Sequence, residues 1–495
     1  MNMSVDRDEF SADEYRHFSQ RVRQNLDALS ILLKRPGFGV GPASFGAELE
    51  VYIIDQAGHV APLNDQIIAA CNDEQLQPEL NRFNLEYNLS AVPAAGSPFH
   101  TLETETNQAL DQLTAAASQH QARIVPIGIL PTLREQDLSA SAMTDQPRYR
   151  ALSKGLLAMR GGPFKIEIAG AEPLSLTTHD VTLEGANTSF QVHWRVNPAQ
   201  FCNTFNAIQM LTPLALAIGA NSPTLLGHQL WDETRIALFK QSIDYRNHLE
   251  GNWQPPSRIP FGFGWVRSGP LELFAESSAL YPPLLPIVGD EDSLAIVQDG
   301  GIPKLNELRM HHSTVWPWNR AIYDHADGGH LRIEMRALPA GPTARDMTAN
   351  AALLIGAAEI LQHQMEQLMP ALPYRYAEHN FYAAAKFGLD AKLIWPSTDQ
   401  STLNETSVVE IIQQILPMAR DGLGELGVID DEITRVLTPI EGRLSSGITG
   451  ARWQRRMLER LDTANDRPQA CTGLLENYIR EFNSGRTVAD WSDRP

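Results

Sequence analysis

Three cysteines in 495 residues leave little sulfur chemistry to consider. Cys71, Cys202 and Cys471 stand far apart with no CxxC spacing, which indicates neither a disulfide framework nor a thiolate zinc site and fits a reducing, cytoplasmic compartment. Basic residues are also scarce: 40 Lys and Arg against 59 Asp and Glu give a formal charge of -19. That balance, without basic clusters, argues against nucleic acid or an anionic membrane as partner, because phosphate-rich surfaces are met by gathered Lys and Arg. The longest apolar run, LALAIGA at 214–220, is too short to span a bilayer, and the acidic N-terminal stretch has none of the marks of a signal peptide. A GxxxxGK[ST] loop and a GxGxxG turn are absent as well. The expected partners are small molecules, with self-association into a homo-oligomer left open.

What is present is ordinary globular material, 43% hydrophobic, enough for a large core. Apolar residues at helical spacing predict a helix over 10–34, ended by the breaker cluster RPGFGVGPASFG. Extended segments are expected near 46–54, 83–90, 124–131, 164–169, 188–196 and 330–338, with helices such as 103–121 and 199–217 between them. That order lacks a regular βαβ rhythm and predicts an α+β fold. After about Thr348 the pattern turns helical, over 345–370, 405–421, 430–444 and 450–463, and no strong strand is expected beyond 340. The predicted organisation is an N-terminal helix at 1–39, a catalytic unit at 40–370, and a helical extension at 371–495 packed on it.

Four of the strands carry polar groups at spacing two, which places them on one face. GAELEVYI sets Glu48 and Glu50 together; RFNLEYNLS aligns Asn84, Glu86, Asn88 and Ser90; SFQVHWRV aligns Gln191, His193 and Arg195; LRIEMRA aligns Arg332, Glu334 and Arg336. One such strand is a wetted sheet face, the default for antiparallel sheets. Four of them, rich in Glu, Asn, Gln, His and Arg and free of Lys, predict a floor where carboxylates, one imidazole and several guanidinium groups meet. Crowded carboxylates repel one another unless a cation is present, and hard oxygen donors with one imidazole suit Mg2+ or Mn2+. Arginine beside them suits phosphate, so the set predicts metal-assisted phosphoryl transfer.

Two loops add less. In GANSPTLLGHQLWDETR, Asn221 and Ser222 are turn residues ahead of Arg235. In LRMHHSTVWPWNR, two histidines, two hydroxyls and the tryptophans around Pro317 fit an aromatic pocket wall or plain core packing. His325 and His330 are expected in loops.

Taken in order, GAELE, SFQVHWRVNP, GANSP, HHSTVWPWNR and LRIEMR resemble the glutamate-cysteine ligase family, in its bacterial and plant-type carboxylate-amine ligase branch, over roughly residues 40–360. The resemblance implies a glutamine-synthetase-like fold, a curved and mostly antiparallel sheet holding ATP and Mg2+. It implies phosphorylation of a glutamate side chain and attack on the acyl phosphate by cysteine. It further implies Glu48, Glu50, Glu86, His193 and Glu334 as metal ligands, and Arg336, Arg320 and Arg235 as catalytic residues holding phosphoryl or carboxylate groups. His311 and Thr314, with Arg320 and Arg336, would contact the nucleotide. Asn88 departs from the family, which often has a carboxylate there; Glu86 shares its face. Alternatives are another amine or carboxylate in the same reaction, a guanidino-type phosphotransferase, and a catalytically idle nucleotide-binding regulator.

Overall fold

The computed structural model describes residues 3, 5–246, 254–397, 400, 402–462 and 466–494. The opening helix Ala12–Leu32 starts at Ser11, whose hydroxyl and the Glu14 carboxylate cap each other's backbone amides. Beyond it, the strands are β1 (Ser44–Asp55), β2 (Leu76–Pro78), β3 (Asn84–Asn88), β4 (Val92–Pro93), β5 (Ala122–Val125), β6 (Phe164–Ile168), β7 (Leu174–Thr178), β8 (Phe190–Val196), β9 (Thr224–Leu225), β10 (His228–Gln229), β11 (Asn319–Asp324) and β12 (His330–Met335). The main sheet runs β11-β12-β8-β1-β3-β2, every pairing antiparallel, with β4 and β5 on the two ends of the long β1. This is the curved, antiparallel sheet and α+β class expected.

The period-two pattern decides which side of the sheet is core. Leu49, Val51 and Ile53 of β1, Phe190, Val192 and Trp194 of β8, and Leu331 and Ile333 of β12 are all buried. They face the helices Pro98–Ser118, Phe201–Gly219 and Ala344–Leu361, which pack on β1, β11 and β8 respectively. The helix Phe201–Gly219 is apolar and long enough to cross a membrane, yet 89% of that stretch is buried within the fold, which marks it as the core helix of a sheet-and-helix layer.

Three expectations change. β11 is a true edge strand, where the sequence pointed only to a pocket wall, and His330 opens β12 rather than lying in a loop. The segment 164–169, expected to be extended, is indeed strand β6 and forms a separate hairpin with β7 outside the main sheet. A further hairpin, β13 (Lys392–Pro396) and β14 (Leu403–Ser407), overturns the expectation of no strand after 340. Its outer strand LNETS has no apolar alternation to reveal it; Asn380 fixes the inner one by bonding both the N–H and C=O of Ile394.

The C-terminal helices Val408–Glu425, Asp430–Ser446 and Gly450–Asp462 follow the expected pattern, except that 405–407 belong to β14 and position 463 lies outside the described residues; Arg467–Phe482 is a further helix. The first crosses Ala344–Leu361 so closely that a Cβ on Gly422 would lie 1.9 Å from the Gly356 carbonyl oxygen. Asn221, expected as a turn residue, is fully buried and bonds Tyr478 and Gln454 of these helices, while Ser222 donates to Glu233.

Candidate functional site

The register of the sheet builds the site in three steps. Arg320, Glu334, His193 and Gly46 stand opposite one another across β11, β12, β8 and β1. Two residues along, Gln191, Glu48 and Asn88 are aligned, and two further along, Glu50, Glu86 and Gln77. A spacing of two keeps all three rows on the same face. Glu48, Glu50, Gln77, Glu86, Gln191 and Arg320 of these rows line a cleft of about 590 Å³ whose other walls include Glu79, Arg148, Tyr149, Glu184, Trp316 and Arg336.

The cleft divides by charge. On one side the carboxyl oxygens of Glu50, Glu79 and Glu86 lie within 4.8 Å of one another. Burial raises all three, and repulsion between carboxylates adds to it at two: Glu79 is pushed up to about 8, first by burial and then by Glu50 and Glu184, and Glu86 goes well above the carboxylate range. Glu50 is raised by burial, although Arg235 and Arg336 oppose the shift. Its oxygens are aimed by the Ser189 amide at 2.7 Å and the Gln191 amide at 2.8 Å. Such a group is short of positive charge, and its hard oxygen donors fit Mg2+ or Mn2+.

On the other side Glu334 takes two bonds from Arg320, at 3.0 and 2.6 Å, and one from Arg336 at 2.5 Å. Burial works to raise its pKa, but the two guanidinium groups outweigh it and hold the carboxylate far below its usual range. Between the two sides, Glu48 Oε1 lies 3.0 Å from His193 Nε2; burial works to raise Glu48, but His193 and Arg336 oppose it and the carboxyl ends below its usual range. His193 Nδ1 is buried without a hydrogen bond, while Nε2 faces the Glu48 carboxylate, so the imidazole is held beside the carboxylates with one ring nitrogen unspent.

The expected site residues therefore separate. Glu48, Glu50, Glu86, His193, Arg320, Glu334 and Arg336 converge. Of these, Glu334 has both oxygens on arginines, which sets it apart from the three-carboxylate group. Arg235 is buried beneath the floor, bonded to Glu233 and the Ala337 carbonyl, and does not line the cleft. His311 and Thr314 do not line it either: His311 Nε2 donates to the Ser277 carbonyl and burial drives the ring down to about 4, while Thr314 accepts from Arg258. They are scaffold, placed there because the helix Asn306–His312 packs inward on Ala12–Leu32. Arg332 and Arg195 lie at the far end of the sheet face, Arg332 paired with Asp324 at 3.3 Å. Of the tryptophans, Trp318 is core and Trp316 lines the cleft.

Glu79, Glu184 and Arg148 were not anticipated. Glu79 follows the three-residue β2, too short to show alternation, and Glu184 lies in a single 3-10 turn. Arg148 comes from the helix Pro147–Arg160, its guanidinium on Ser313 and Met310. A second chamber of about 530 Å³, lined by Phe205, Phe261, Trp265, Tyr281 and His312, adjoins the cleft through Arg320.

Residues 44–254 match the family described as glutamate-cysteine ligase family 2 (GCS2), which bears out the resemblance read from the motifs; those at 308–338 lie outside the match. The fold is similar to that of a glutamate-cysteine ligase from Francisella tularensis solved in complex with AMP, with 11% identity, 91% of each chain covered and a TM-score of 0.52. A bifunctional glutathione synthetase from Pasteurella multocida gives 11% identity over 93% of this chain and 54% of its own, with a TM-score of 0.45. No curated protein matches the chain in sequence.

Proposed function

We propose that this chain, whose residues 44–254 match glutamate-cysteine ligase family 2, is an ATP-dependent carboxylate-amine ligase. The glutamate side chain is the carboxylate and cysteine the amine by resemblance, in a cytoplasmic setting, with residues 40–370 as the catalytic unit. The observation that carries the reading is the meeting, on one cleft floor, of three close carboxylates with Arg320 and Arg336. AMP in the Francisella tularensis structure agrees with nucleotide use.

In this reaction a carboxylate oxygen of the substrate attacks the terminal phosphorus of ATP and the bond to ADP breaks. The amine then attacks the acyl carbon and phosphate leaves. The protein's task is positioning and charge neutralisation. Glu50, Glu79 and Glu86, with Glu48 and His193 alongside, would hold divalent cations, which when bound supply positive charge for the phosphates. Arg336 and Arg320 sit where charge on the transferring group develops, and Glu334 orients both forks. Arg235 acts from below by easing the ionisation of Glu50.

The test is ADP release from ATP and Mg2+ with glutamate, comparing cysteine, other amines and no amine. Release that needs glutamate and an amine, with a matching amide product, is expected. Release without any amine dependence, or none with any carboxylate, would overturn the reading.

A further inference from the structure

Five carboxylates line the cleft, and four are committed. Glu50, Glu79 and Glu86 form the close group, and Glu48 faces His193. Glu184 belongs to neither set; its carboxylate accepts no hydrogen bond among the described residues and lies within electrostatic reach of Glu50 and Arg336. It is fixed on a short turn whose Gly185 packs against Asn81, where a Cβ would lie 2.3 Å from the Asn81 side-chain nitrogen. The backbone there is consequently rigid, and the carboxylate is presented to a cleft also lined by Leu152, Leu156, Val181, Ile243 and Trp316.

We propose that Glu184 receives the ammonium of the acyl-accepting amine and takes its proton as the amide bond forms, an assignment that rests on the ligase reading above. A primary amine is cationic near neutral pH and is not a nucleophile until it loses a proton. One proton passes to the Glu184 carboxylate, and the freed lone pair attacks the acyl carbon. The carbon–oxygen bond to phosphate breaks, phosphate leaves with the electron pair, and the second nitrogen proton departs with it. The ligand class is a primary amine bearing an apolar or thiol-containing group, because the walls beside the acid are aliphatic and aromatic. Burial, then repulsion by Glu50, pushes Glu184 up to about 8, so at a working pH near 8 the carboxylate form that accepts the proton is well populated, and the amines are compared there.

Hydroxylamine, neutral at pH 7, traps an acyl phosphate as a hydroxamate without needing a counter-ion or a base. The full-length protein with ATP, Mg2+ and glutamate is assayed with hydroxylamine, cysteine and butylamine, for the wild type, Glu184→Gln and Glu184→Asp. In Glu184→Gln, kcat/KM for the cationic amines is expected to fall about 100-fold, and hydroxamate formation by less than about threefold. Glu184→Asp should recover part of the loss, and the magnesium titration should not move. Equal amide formation in wild type and Glu184→Gln overturns the assignment, as does equal loss of both products or a weakened magnesium titration, which would make Glu184 a metal ligand. Wild type that forms hydroxamate but joins neither amine also overturns it. No hydroxamate from wild type at all defeats the ligase reading instead.

Discussion

Asn88 donates its side-chain amide to Glu86 Oε1 at 2.9 Å, at the edge of the three-carboxylate group. A hydrogen-bond donor thus stands beside Glu86, and Glu79, from the adjoining loop, brings the group to three acids. An amide here lessens repulsion rather than adding to it.

Asn88→Asp reverses that arrangement by placing a fourth carboxylate against Glu86. Metal-free protein should melt at a lower temperature than wild type at pH 8, and saturating Mg2+ should narrow the gap. Thermal melts with and without the ion measure this; equal melting of the two metal-free proteins would contradict it.

The raised acids make stability depend on pH with a defined sign. Glu79 and Glu184 titrate near 8 in the folded chain and near 4.5 in an unfolded one. Between those values the folded state holds more protons, so metal-free stability is full below about 4.5 and falls as pH rises through about 8. Divalent cation binding should release protons in the same window. Calorimetry at pH 7 in buffers of different ionisation enthalpy detects the release, and Glu79→Gln should reduce it.

Arg336→Ala removes charge that matters most as the phosphoryl group transfers. Turnover should fall roughly 100- to 1000-fold with a smaller change in the apparent affinity for ATP. Steady-state kinetics distinguishes this from a pure binding defect, in which saturating ATP would restore turnover.

Glu334→Gln leaves two buried guanidinium groups without their shared anion. Loss of about 3–5 kcal/mol of stability is expected, the usual cost of breaking a buried pair from one side. Denaturant melts read it directly; a variant as stable as wild type, with only its metal titration shifted, would return Glu334 to the role of metal ligand.

His311→Phe keeps an aromatic ring and removes one buried hydrogen bond to Ser277. Stability should fall by about 1 kcal/mol while KM for ATP stays unchanged. A raised KM would put His311 back in the nucleotide site.

Sequence alone determined the alternation of β1, β3, β8 and β12, because one buried face forces a period of two, and with it which polar residues share a face within each strand, Glu48 with Glu50 and Glu334 with Arg336. It also determined the helical spacing of the C-terminal region, where apolar stripes must meet a core. Tertiary structure alone decided the rest. Strand order and register set Arg320 opposite Glu334 and His193, a relationship among β11, β12 and β8 that no local pattern encodes. Loop paths brought Glu79 and Glu184 to the cleft, since a carboxylate on a short turn has no periodicity to betray its direction. Helix packing turned Arg235, His311 and Thr314 inward, because a polar side chain in a motif satisfies its hydrogen bonds wherever its element docks, and the docking is settled by apolar partners distant in the chain.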